Sequence, residues 1–117
     1  MKRDMSLIRD ILLSIEKNDK VLPVEGFSSE IIESHVKLLI EALLVERHSF
    51  GVGSFVTVTR LTWNGHEFLD SIREEQVWDT IKNEFREASM STIIKVGKDL
   101  ADGFAKKKVE ALLGSQS

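Results

Sequence analysis

The chain has 117 residues, 42% of them apolar and 30% charged, a net charge of −3 and no cysteine. That composition supports one hydrophobic core and argues against a disordered chain, and the absence of cysteine excludes a disulfide framework and a thiolate metal site. Its acidity weighs against nucleic acid as a partner without excluding it, because a local basic patch can act on an acidic domain.

Met1-Lys2-Arg3-Asp4 leads into a segment with charges inside it, so no signal peptide is expected. No apolar run is long enough to span a bilayer, so no membrane partner is expected and the default compartment is the cytoplasm. Residues 5–17 place Met5, Ile8, Leu12 and Ile15 at helical spacing, with Leu7 and Ile11 beside them, and predict a first helix ended by Asn18-Asp19-Lys20. Val21 to Phe27, with Pro23 and Gly26, reads as a loop with a short extended piece that Pro23 confines to an edge.

Ser28 or Ser29 can cap the next helix, which should end near Leu43. Ile31, His35, Leu38, Leu39, Ala42 and Leu43 share one side of it, and Ile32, Val36 and Ile40 widen that side. So broad an apolar arc predicts packing on more than one surface. The polar remainder is Glu30, Glu33, Ser34, Lys37 and Glu41. From Leu44 the pattern becomes extended, and Phe55 to Leu61 alternates around β-branched residues. Gly51-Val52-Gly53 between the two runs marks a hairpin tip rather than a phosphate loop, since neither a lysine nor a helix start follows.

Thr62 offers an N-cap to a helix carrying Phe68, Leu69 and Ile72. Its apolar stripe changes phase near Glu74-Glu75, where Val77, Trp78, Ile81 and Phe85 begin a second stripe. Ser91 is expected to cap a last helix, with Ile93, Gly97, Leu100, Ala101, Phe104 and Leu112 along it and Lys106 to Lys108 near its end. Gly114 to Ser117 reads as a tail.

The fold class expected from this order is α+β and mainly helical: a winged helix-turn-helix with a β-hairpin wing over residues 1–73 and a C-terminal helical extension over 74–117, in a single structural domain. The extension either packs on the core or pairs with a second copy, so a homodimer through the C-terminal helices is expected.

Three segments, MKRDMSLIRDILLSIE, HVKLLIEALLVE and LTWNGHEFLDSIREEQVW, together resemble a bacterial and phage family, domain of unknown function 2513. The resemblance runs from Met1 to the last helix and is most specific in the first and third segments. It implies a winged-helix-like fold, a frequent phage or prophage setting and no known catalytic residues. HVKLLIEALLV is also similar to the helix ending of many winged-helix regulators, which carry Gly where this chain has Leu43. That departure predicts a helix-to-strand turn that is less sharp, or displaced along the chain.

Candidate sites are few. His35 lies on the apolar side of its helix and reads as a buried histidine bonded to a backbone carbonyl. His48 and His66 sit in other elements, so no metal site and no cofactor is expected. There is no cysteine nucleophile, no serine in a strand-turn-helix glycine frame and no phosphate loop, so the chain reads as a non-enzyme. Trp63 and Trp78 read as core or interface anchors.

In a winged helix the central helix enters the DNA groove. On that basis the candidate contacts to double-stranded DNA are Ser28 and Ser29 at the helix start, Lys37 on its polar strip, and Arg47, His48 and Arg60 on the wing, with Lys2 and Arg3 at the chain start as further cations. A DNA-binding regulator is therefore one expectation. The other is a protein-interaction module that presents Glu30, Glu33 and Glu41 to a protein partner.

Overall fold

The computed structural model describes residues 2–53 and 56–114. Among these the order is α1 (Met5–Asn18), α2 (Ser29–Glu41), β1 (Val45–Phe50), β2 (Val56–Leu61), α3 (Trp63–Arg73), α4 (Glu75–Glu84) and α5 (Met90–Gly114). The architecture is α+β and mainly helical, as the periodicities require. Phe55 and the tail residues Ser115 to Ser117, which the sequence assigns to a strand and a frayed end, lie outside the described residues. The chain divides into two compact units, Met1–Leu69 and Asp70–Ser117, so the division falls within α3.

In the first unit, α1 is capped by Asp4, whose side chain accepts from the Leu7 amide at 3.0 Å. It ends at Asp19, which takes the left-handed conformation (φ 54) that aspartate tolerates, and returns its N–H to the Ile15 carbonyl. Leu7, Ile8, Ile11, Leu12 and Ile15 are wholly buried. The short extended piece expected around Pro23 does not form: residues 19–28 between α1 and α2 are an irregular loop with no strand. Ser14 instead ties down the chain leaving α1: its Oγ donates to the Lys20 carbonyl and accepts from the Leu22 amide. One bond, from the Thr59 amide to the Asp19 carbonyl at 3.2 Å, lays the start of this loop along the outer edge of β2.

The N-cap of α2 is Ser28, whose Oγ accepts from Ile31 N at 3.2 Å. The buried residues of α2 are Ile32, His35, Val36 and Leu39, one stripe at helical spacing. As so broad an arc predicts, α2 packs against both α1 and β1, although Ile31 and Leu43 at its margins are exposed. The helix stops at Glu41, and Leu43 itself adopts the left-handed conformation (φ 63). Its amide donates to Ile40 O and the Leu44 amide to Leu39 O, each at 3.0 Å, the paired bonds of a Schellman ending. The turn is thus neither blunted nor displaced by the leucine. The backbone bonds hold it against a steric cost of about 1 kcal/mol.

β1 and β2 form a two-stranded antiparallel sheet with Val45 opposite Leu61, Arg47 opposite Thr59 and Phe50 opposite Val56. Gly51 (φ 122) and Gly53 (φ 92) supply the positive φ at its tip. Val45, Thr59 and Leu61 are buried at the sheet's base. There the LTWNG segment explains itself. The Thr62 amide donates to Leu44 O at 3.0 Å, its hydroxyl donates to Leu43 O at 2.5 Å, and the same hydroxyl oxygen accepts from the Gly65 amide at 3.0 Å. A Cβ on Gly65 would lie 2.0 Å from Leu44 O, so only glycine lets α3 start this close to the end of α2.

The second unit is simpler. α3 gives way to α4 at Glu74, where the apolar stripe changes phase. α4 buries Val77, Trp78 and Ile81 and contacts α5, which buries Met90, Ile93 and Gly97. The cap of α5 is Ser89, not Ser91: the Thr92 amide donates to Ser89 Oγ at 3.2 Å and Ile93 N to Ser89 O at 2.9 Å. Serines one turn-fraction apart satisfy the same sequence pattern, and the earlier one wins because Met90 is already helical and buried. No helix among the described residues is long and apolar enough to cross a membrane.

Candidate interaction site

The residues singled out as DNA contacts come together only in part, and mostly as partners of carboxylates. Arg47 projects from β1 toward α2, where its guanidinium grips Glu33 with both ends, NH1 to Oε1 at 2.6 Å and NH2 to Oε2 at 3.2 Å. Its Nε donates to Thr59 Oγ1 across the sheet at 3.4 Å. The bond from Arg47 holds the Glu33 carboxyl below the usual carboxylate range, and the charges of Arg47 and Lys37 add to this. Arg60 is paired in register with Glu46, Nε to Oε1 at 2.5 Å, and that bond lowers the Glu46 carboxyl likewise. His48 Nε2 lies 3.6 Å from Glu46 Oε2.

Ser28 is occupied as a helix cap, Ser29 is exposed at the first position of α2, and Lys37 is exposed on its polar strip. A phosphate approaching the wing therefore meets Glu33 and Glu46 together with Arg47 and Arg60, and must displace two ion pairs to reach the cations.

His35 is fully buried and links two helix starts. Its Nδ1 donates to the Ile31 carbonyl at 2.8 Å, and its Nε2 accepts from the Asp4 amide at 3.0 Å. Both ring nitrogens are used by the backbone, so His35 is structural. Among the described residues no group of three His, Cys, Asp or Glu side chains could hold a metal ion.

What the surface of the first unit offers instead is apolar. Phe50, Val52 and Val56 at the end of the wing are each more than half exposed, and His48 and Phe50 stand on one sheet face with ring centroids 6.2 Å apart. Leu43 is 66% exposed and Trp63, at the start of α3, is 78% exposed. Trp78 by contrast is buried, with the Lys82 ammonium 5.4 Å from its ring centre. Sequence reasoning grouped the two tryptophans. The signal that separates them is position: Trp63 directly follows the capping residue, where a helix has not yet turned its side chains onto the core.

Trp63 borders an open depression of about 420 Å³ between the end of α1, the base of the hairpin and the start of α3. Its walls carry Glu16, Asp19, Glu46, Arg60 and His66, with Ile15 and Leu61 beneath.

Two comparisons bear on the whole chain. The sequence model of a family described as "Hypothetical protein (DUF2513)" matches residues 2–91. An "Uncharacterized protein" of Haemophilus influenzae (strain ATCC 51907 / DSM 11121 / KW20 / Rd) is 37% identical over 109 residues, which cover 86% of this chain and 92% of the relative. No solved structure matches. The family match reaches only the beginning of α5, so it includes the hairpin, the Thr62–Gly65 lock and Trp63.

Proposed function

We propose that this chain, which belongs to the DUF2513 family, is a non-enzymatic protein-interaction module that keeps the element order of a winged helix but contacts protein rather than DNA. The observation that supports this most is the forked Glu33–Arg47 bridge. It turns the most inward wing cation into an internal brace between β1 and α2. With Arg60 held by Glu46, Lys37 is left among the acids of the α2 strip. Exposed Ile31, Leu43, Phe50, Val52, Val56 and Trp63 provide the large apolar anchors that protein interfaces use, set among acidic residues.

A second copy is one such partner. Val109, Leu112 and Leu113 are exposed at helical spacing on one side of α5 and offer an apolar face for helix pairing. Sedimentation at rising protein concentration tests it: a monomer at all concentrations removes the homodimer from the proposal.

The alternative of a DNA-binding regulator is tested by fluorescence anisotropy with duplex DNA at low salt. We expect wild type to bind no more tightly than non-specific proteins do, with Kd of about 10⁻⁶ M or weaker. Glu33→Gln with Glu46→Gln, which removes the negative charge facing Arg47 and Arg60, should bind more tightly than wild type. Tight, salt-sensitive binding by wild type that is lost in Arg60→Ala would overturn the proposal in favour of DNA.

A further inference from the structure

We propose that the depression beside Trp63 receives an arginine side chain from the partner protein. This rests on the protein-interaction reading and adds the chemistry of one contact.

Charge excludes the opposite class of ligand. Glu16, Asp19 and Glu46 line the depression, against the single fixed cation Arg60, which Glu46 already holds at 2.5 Å. A phosphate or carboxylate entering there meets net negative charge. The neighbouring end of α1 points the negative end of its helix dipole the same way. An apolar ligand fares no better, because the walls are mostly polar and charged. A cation is favoured by Glu16, Asp19 and the end of α1.

Trp63 narrows the choice among cations. Its indole is 78% exposed on the rim of this acidic depression, and a guanidinium is the cation that can stack flat on a ring while its edge bonds a carboxylate. A lysine ammonium can use either the ring or the carboxylate, but it lacks the flat fork that uses both. The volume, about 420 Å³, lies at the small end of ligand sites and suits one long side chain rather than a folded peptide.

The test follows the indole N–H resonances of the full chain by NMR. Blocked tripeptides with central Arg, Lys or Glu are titrated in turn, then a short DNA duplex. Trp78, which is buried, serves as the internal reference for an intact fold. We expect the arginine peptide to shift Trp63 saturably in the millimolar range, the lysine peptide to do so more weakly, and the glutamate peptide not at all. Asp19→Asn combined with Glu16→Gln should weaken the arginine response by about tenfold while Trp78 stays in place.

An arginine response unchanged by those substitutions, or equalled by the glutamate peptide, would overturn the proposed site. No response to any peptide or to DNA would overturn it too, leaving the protein-interaction reading to the wing tip and Leu43. A Trp63 shift caused by the duplex would count against both.

Discussion

The two ends of the hairpin are built on opposite principles. At its base every polar group is committed: Arg47 to Glu33 and Thr59, Thr62 to Leu43, Leu44 and Gly65, with Val45 and Leu61 buried between. At its tip Phe50, Val52 and Val56 stand in solvent, above a single exposed Ser49–Thr57 hydroxyl contact at 3.3 Å. The cations nearest the wing are consumed in ion pairs, Arg47 holding β1 to α2 and Arg60 pairing with Glu46 across the hairpin, while large apolar side chains are left outside. Burial and bonding at one end thus decide what the other end is free to do.

That contrast can be broken most sharply at Gly65. Gly65→Ala places a methyl 2.0 Å from Leu44 O, and moving α3 off the sheet base should cost more than about 3 kcal/mol in chemical denaturation. His35→Ala comes next, at about 2–4 kcal/mol, because it empties a fully buried site and leaves the Asp4 amide without its acceptor.

Glu33→Gln tests the brace itself. The carboxylate is more than a third exposed, so screening holds the loss to about 1 kcal/mol or less at neutral pH. The sign with pH is fixed. Glu33 titrates below the usual 4.5, so its contribution is present above that value and disappears as pH falls through the lowered one. The denaturation midpoints of wild type and Glu33→Gln should therefore converge in acid.

Leu43→Gly should raise stability by about 0.5–1 kcal/mol, since glycine takes φ 63 without strain. Phe50→Ser at the tip should change stability by less than about 0.5 kcal/mol. A large loss there would mean that the tip is packed and the contrast between the two ends is wrong.

Much of the fold was legible in the sequence because it is local. The stripes of α1 and α2, the glycines of the hairpin tip, the Ser28 and Thr62 caps and the break at Glu74 each follow from residues within a few positions of one another. The finer details were not: two serines near Met90 satisfy one capping pattern, and periodicity alone could not place Ile31 outside the buried stripe of α2. The site was less legible still. Glu33 and Arg47 meet only because the turn at Leu43 sends β1 back along α2, and that turn uses a leucine in a conformation its type disfavours. Gly65 gave no signal on its own, since its reason is the Leu44 carbonyl that the fold brings against it.

The central claim, that both wing arginines are held by carboxylates of the chain itself, is tested most directly by an NMR titration of the Glu33 and Glu46 side-chain carboxyls. We expect both to titrate below 4.5, and each to return toward it when its arginine is replaced, Arg47→Met for Glu33 and Arg60→Met for Glu46. Carboxyls that titrate at or above 4.5 in the wild-type chain would mean that both arginines are free, and would contradict the claim.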